Sequence, residues 1–252
     1  MQSTEYIVNQ KLAAGRKDKI HHLKRGFYAG LPIALGYIPV SFTFGLMAVN
    51  GGIPVWMAVF ISLTNLTSAG QFAGLNLIIA NATYFEIALT TFVINIRYML
   101  MSLSLSQKIE INTTMLKRCI LAFGITDETF AVASQEEKDI DFSFMLGLII
   151  GPYIGWALGT LLGAATTSIL PESVQASMGI ALYGMFIAIL IPAAKKSKEV
   201  VMIIAMAVFI SSVFKWVPVM NRISEGWSII AATVISSIIG AVIFTREEEE
   251  YE

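Results

Sequence analysis

Three ionisable residues sit deep in apolar sequence, and they are the first candidates for chemistry. Arg97 lies in Phe92-Val93-Ile94-Asn95-Ile96-Arg97-Tyr98, with apolar stretches on both sides. An arginine at mid-bilayer costs at least about 2.5–3.5 kcal/mol on insertion scales, so it faces a partner or a wet cavity. Its planar fork suits a carboxylate. That carboxylate could be a protein side chain, giving a structural ion pair, or a solute, giving a binding contact or a gate; a snorkelling position is the third option. Asp127 and Glu128 lie in Gly124-Ile125-Thr126-Asp127-Glu128-Thr129-Phe130. Adjacent helical residues point roughly 100° apart, so one acid can face the interior and the other a second partner. Desolvation favours the neutral form of a carboxylic acid, so either is a candidate proton carrier, with Arg97 as counter-ion. If the segment is shallow, both acids are wet.

Other chemistries find little support. The only histidines, His21 and His22, are neighbours in a basic leader and point to different helix faces, and no HExxH occurs, so no metal site is expected. The one cysteine, Cys119, can form no internal disulfide. Gly-x-Ser-x-Gly and nucleotide-binding motifs are absent, so neither an enzyme nor an ATP-driven pump is expected, and no cofactor is implied. A net charge of −1 offers no field for nucleic acid.

The elements that must position these residues are set by hydrocarbon. Of 252 residues, 56% are hydrophobic and 14% charged, and mean hydropathy is +0.70. Soluble chains carry about 25% charged residues. No Asp, Glu, Lys or Arg occurs between Arg25 and Glu86, and Glu172 alone breaks the run from Asp141 to Lys195. An outer face without charge belongs in a bilayer. The fold expected is all-α, a polytopic transmembrane bundle of seven or eight spans. The apolar runs are Phe27–Val49, Pro54–Ala80, Phe85–Leu105, Leu116–Ala133, Phe142–Ile169, Val174–Ile191, Val200–Val217 and Trp227–Phe244. The fourth is short and carries Asp127 and Glu128. Residues 1–25 form a basic segment placed on the cytoplasmic side, 26–245 one transmembrane domain, and 246–252 an acidic tail.

The positive-inside rule conflicts with that count. Lys and Arg cluster in the leader, from Lys108 to Arg118, and from Lys195 to Lys198. Three runs separate each cluster from the next, whereas a shared side requires an even number. The second run is the best suspect for a broken or re-entrant segment, because it holds the polar patch Thr64-Asn65-Leu66-Thr67-Ser68-Ala69-Gly70-Gln71; the fourth is the other suspect, either a weak span or a segment that does not cross. A faint internal repeat is also visible. Gly70-Gln71-Phe72 and Gly184-Met185-Phe186 each precede, by about 15 residues, a glutamate (Glu86, Glu199) that opens another apolar run.

Smaller features concern packing. Gly147, Gly151, Gly155, Gly159 and Gly163 draw a stripe where another backbone can approach, as a packing seam, a sliding surface or a cavity wall. Pro32 and Pro39 each free a carbonyl four residues earlier, through a kink or an interrupted helix. Trp56, Trp156, Trp216 and Trp227 read mostly as interfacial anchors.

Three stretches in order carry a resemblance: Gly30-Leu31-Pro32 with Gly36-Tyr37-Ile38-Pro39 and Phe44-Gly45; Ser68-Ala69-Gly70-Gln71-Phe72 followed by Asn95-Ile96-Arg97-Tyr98; and Gly124-Ile125-Thr126-Asp127-Glu128-Thr129-Phe130. In these the chain resembles the AzlC family, the large subunit of branched-chain amino acid exporters. The resemblance implies a bacterial-type plasma-membrane permease that moves leucine, valine or isoleucine outward with a small AzlD-type membrane subunit. Residue by residue, Arg97 with Asn95 would hold the solute's carboxylate, and Asp127 or Glu128 its ammonium or a coupling proton. Gly70, Gln71 and Phe72, with Pro32, Gly36 and Tyr37, would line the pocket. A non-transporting assembly subunit and a permease for another small solute are the alternatives.

Overall fold

The computed structural model describes residues 2–136, 139–171 and those from 173 to 244 other than a scatter of positions between 174 and 196 and residues 219, 221 and 222. Its named helices are α1 (Gln2–Asn50), α2 (Val55–Thr64), α3 (Ala69–Ile79), α4 (Tyr84–Ser106), α5 (Met115–Phe123), α6 (Asp127–Ser134), α7 (Phe142–Thr166), α8 (Lys198–Trp216) and α9 (Glu225–Ile243). No strand is present among the described residues beyond one isolated bridge, Ile109 with Ile140. The all-α expectation holds. Of the seven or eight expected spans, five helices among the described residues (α1 from Asp18, α4, α7, α8 and α9) are long and apolar enough to cross, with α2 and α3 as shorter apolar helices. The expected run at Val174–Ile191, the second copy of the repeat and the tail after residue 244 lie largely or wholly outside the described residues. Glu86 and Glu199 do stand in the first turns of α4 and α8.

The helices gather into two compact units, Met1–Ser68 with Ile96–Met178, and Ala69–Asn95 with Gly179–Glu252. In the first, α1 and α7 form the spine. The leader does not end at residue 25; it is the start of α1, which runs unbroken through Pro32 and Pro39. Each proline removes one intrahelical bond, and the hydroxyls of Ser41 and Thr43 tie the next turn to the carbonyls of Tyr37 (2.9 Å) and Pro39 (3.0 Å). Gly30 and Gly45 of α1 and Gly147, Gly155, Gly159 and Gly163 of α7 all meet backbone of the facing helix where a Cβ would stand. Contacts rise together in number, from Gly30 against Leu148 to Gly45 against Ala164, so the two helices run parallel. The stripe is a packing seam, and it leaves no room for a cavity wall.

The two suspect runs are both broken. At 1.5 Å per residue, α2 and α3 are each only about 15–17 Å long, half a bilayer. α2 packs on α1 and α7 and descends the spine: Ser62 Oγ bonds Thr160 Oγ1 (2.7 Å), and Leu63 carbonyl accepts from Tyr153 Oη (2.9 Å) near the middle of α7. Asn65 then stops the helix by accepting from the Thr67 N–H (3.1 Å) and hydroxyl (2.6 Å), and Ser68 adopts a left-handed φ of 47°. The fourth run divides at Gly124 into α5 and α6, neither long enough to span. Gly124 packs so closely on Ile149 that a side chain would have no space.

One end of this unit collects charge. Ile140 N–H bonds the Lys108 carbonyl (2.7 Å), His22 Nδ1 lies 3.2 Å from Asp141 Oδ2, and Arg25 pairs with Glu136. The basic leader and the Lys108–Arg118 cluster therefore lie at the same end of this unit as the start of α7. A core of Leu105, Leu121, Ile125, Ile140, Met145 and Leu148 lies behind this face. In the second unit α9 packs on α8 and, more lightly, on α3, with Gly240 against Ile203.

Candidate functional site

Arg97 is the fourteenth of 23 residues in α4, far from either end. Its Nη1 lies 3.0 Å from Asp127 Oδ2, and its Nη2 donates to Tyr98 Oη at 3.1 Å. Tyr98 Oη in turn donates to the Thr67 carbonyl at 3.0 Å, so the guanidinium is tied to the α2 break. The fork is incompletely used. Nε is buried and has no partner among the described residues, while the Arg97 and Asp127 side chains keep 39% and 30% exposure. The pair is thus partly exposed, and its Nε–H is a donor without a partner among the described residues.

The two acids are placed by a helix start. Thr126 caps α6: its Oγ1 accepts from Thr129 N–H (3.3 Å), and Thr129 Oγ1 accepts from Thr126 N–H (2.8 Å). Asp127 and Glu128 are consequently first-turn residues, where the helix dipole favours negative charge. They diverge as adjacent helical positions must. Asp127 turns to Arg97, whereas Glu128 Oε2 accepts from Tyr37 Oη at 2.5 Å. That phenol also lies 2.8 Å from Thr126 Oγ1 and stands edge-on to Trp156, ring centroids 5.2 Å apart. Trp156 is 1% exposed, so it is a buried wall of the site and no interfacial anchor, whereas Trp56 and Trp216 are exposed.

The candidate residues divide between the units. Arg97, Asp127, Glu128 and Tyr37 converge in the first. Pro32 and Gly36 share α1 with Tyr37 but lie on its exposed side, Gly36 with nothing near its Cβ position, so they do not join the cluster. Asn95, Gly70, Gln71 and Phe72 belong to the second unit. There the Asn95 amide covers Gly70 so closely that a Cβ would clash, Asn95 Oδ1 is buried and has no partner among the described residues, and Gln71 and Phe72 are buried. Tyr98, Thr67, Thr126 and Trp156 belong to the site although their residue types did not single them out. The Thr126-x-x-Thr129 spacing with two acids between was a legible capping signal.

One guanidinium paired with one carboxylate, beside a second carboxyl group held by a phenol and with a buried N–H unpartnered among the described residues, is an arrangement that can exchange an internal carboxylate for an external one. Its formal charge with both acids ionised is −1, which leaves room for one cationic group.

Comparison with known proteins gives the lineage. The AzlC protein family model matches residues 32–170, more than half of the chain and the whole of this cluster. An uncharacterized membrane protein of Archaeoglobus fulgidus is 33% identical over 67% of this chain and 74% of the relative. The inner membrane protein YgaZ of Escherichia coli is 30% identical over 67% and 72%, and an uncharacterized membrane protein of Helicobacter pylori strain 26695 is 28% identical over 59% and 68%. No solved structure matches. A family model spanning the α1, α4, α6 and α7 residues of the site, together with these membrane relatives, shows that the chain belongs to the AzlC family.

Proposed function

We propose that the protein is a secondary permease exporting branched-chain amino acids, working with a small AzlD-type membrane subunit. The observation that carries this is the Arg97–Asp127–Glu128–Tyr37 cluster beside the α2 break. A neutral amino acid is a zwitterion and needs a donor fork for its carboxylate and an anion for its ammonium. Arg97, with Nε unpartnered, supplies the fork, and Asp127 acts as the internal counter-ion that a solute carboxylate displaces. Glu128, held by Tyr37, takes the ammonium. The Tyr37–Trp156 aromatic pair offers an apolar wall for the solute's side chain. A helix broken at mid-depth fits such a site, because irregular backbone in a membrane persists where it is buried or lines a cavity. By the positive-inside rule the face bearing the leader and Lys108 is cytoplasmic. Export against a gradient needs an ion moving inward, since the sequence carries no nucleotide-binding motif.

The test is counterflow of labelled leucine in proteoliposomes containing the chain with its small subunit. Wild type should retain label above liposomes without protein, and Arg97→Gln, inserted at the same level, should not. Equal retention by wild type and empty liposomes would refute transport and favour an assembly role.

A further inference from the structure

We infer that Glu86, Thr90 and Ser224 form a monovalent-cation site in the second unit; the assignment of that cation as the coupling ion rests on the transport proposed above. Glu86 is the one charged residue of α4 before Asn95, and it is only 6% exposed. A carboxylate so far from water requires a counter-charge. Among the described residues its bonding partner is a neutral hydroxyl, Ser224 Oγ, at the start of α9. The α9 N-terminus contributes the equivalent of roughly half a positive charge, short of neutralising one carboxylate.

A second buried oxygen points into the same place. Thr90, one turn along α4, is 0% exposed, and its Oγ1 has no partner among the described residues. The point where a Gly226 Cβ would stand is 2.6 Å from Glu86 Oε1 and 2.8 Å from Thr90 Oγ1. Glycine at 226 therefore lets the α9 backbone close directly onto the Glu86 carboxylate and the Thr90 hydroxyl, which has no partner among the described residues, with Ser224 Oγ adjoining. Oxygen donors alone suit a hard monovalent cation, a proton or a sodium-type ion. The other charged groups around it are few. α3 carries none, α9 has Glu225 beside Ser224, and α8 has Lys198, Glu199 and Lys215 near its ends. Arg222, two residues before Ser224, lies outside the described residues.

Tryptophan fluorescence of the purified full chain in lipid nanodiscs reads this site directly, because Trp227 follows Gly226 and its ring lies 6.4 Å from that of Phe85. Sodium chloride is titrated against choline chloride at fixed pH, and pH is then varied in choline. Wild type should show a saturable change that Trp227→Phe removes. Thr90→Val and Glu86→Gln should shift its midpoint by about tenfold or more, while Arg97→Gln and Arg222→Gln leave it in place. A response to sodium identifies a metal cation; a response to pH alone, with carbodiimide labelling of Glu86, identifies a proton. Identical titrations in wild type, Thr90→Val and Glu86→Gln, or loss of the response in Arg222→Gln alone, would overturn the site. No transport is measured, so failed leucine counterflow would leave the cation site standing, and a failed titration would leave the amino acid site standing.

Discussion

The ion pair between Arg97 and Asp127 can be a fixed brace or an exchangeable gate, and a double-mutant cycle separates the two. At their partial exposure, the pair itself is worth about 1 kcal/mol. A solute carboxylate bound through two donors, one of them the unpartnered Nε, is worth about 1.5–3 kcal/mol. Arg97→Gln should therefore weaken half-saturation for leucine by about 10- to 150-fold, with transport lost at ordinary concentrations. Asp127→Asn removes only the competitor for the guanidinium. It should keep counterflow and tighten leucine binding by up to about fivefold. Combining the two should look like Arg97→Gln alone. The readouts are counterflow in proteoliposomes and leucine affinity in nanodiscs, with thermal stability followed alongside. A brace gives another pattern: each single change harms stability and transport alike, and the double mutant recovers part of both through the coupling a broken pair produces. That pattern would refute the exchange of carboxylates on Arg97.

Further outcomes follow from the same geometry. Gly163→Ala places a methyl against the Phe42 backbone of α1 and should lower stability by about 1–3 kcal/mol, while Gly151→Ala, whose nearest neighbour would be 3.7 Å away, should be neutral; thermal unfolding in detergent compares them. Thr126→Val removes the α6 cap and should cost about 1 kcal/mol of stability and disturb leucine binding through both acids at once. Tyr37→Phe deletes the donor to Glu128 and should weaken leucine affinity by about 3- to 10-fold without changing insertion, read by the nanodisc binding assay. Cys119 is exposed on α5, near the end that bears Lys108. A membrane-impermeant maleimide should label it from the side that also exposes the leader and not from the opposite side.

What was legible in the sequence followed from scarcity. Hydrocarbon tolerates few charges, so runs without them mark spans; α4, α7, α8 and α9 emerge nearly as their apolar runs, while α1 extends its run back through the leader. The polar patch from Thr64 to Gln71 announced the α2 break, because Asn65 and Thr67 compete locally for backbone bonds. The second break was harder to see. Gly124 and Thr126 interrupt an apolar run by packing on Ile149 and by capping, and hydropathy registers neither event. Asp127 and Glu128 therefore read as residues inside a weak span when they are the first turn of a short helix. Side-chain direction was harder still. Tyr37 lies one position from Gly36 and two from Pro39, yet only Tyr37 of these turns to Glu128, since the helix rotates by about 100° per residue. Trp156 likewise had the residue type of an anchor and the place of a wall.

The shape of the site follows from how an acid pair can be carried into a membrane at all. A spanning helix would leave Asp127 and Glu128 flanked by apolar turns, each needing its own counter-charge. A helix that begins at Thr126 gives both acids the field of unpaired N–H groups and splits their directions, one to a guanidinium and one to a phenol. The broken α2 does the complementary work for Arg97, because its Thr67 carbonyl takes the Tyr98 hydroxyl that in turn accepts from the guanidinium. Two helix breaks, rather than two facing spans, thus hold the three charges. Each break is kept by a few local bonds, so the charges can be regrouped without unwinding α1 or α7, whose glycine seam keeps them backbone to backbone. A solute that offers its own carboxylate and ammonium to Arg97 and Glu128 would need to disturb only those local bonds.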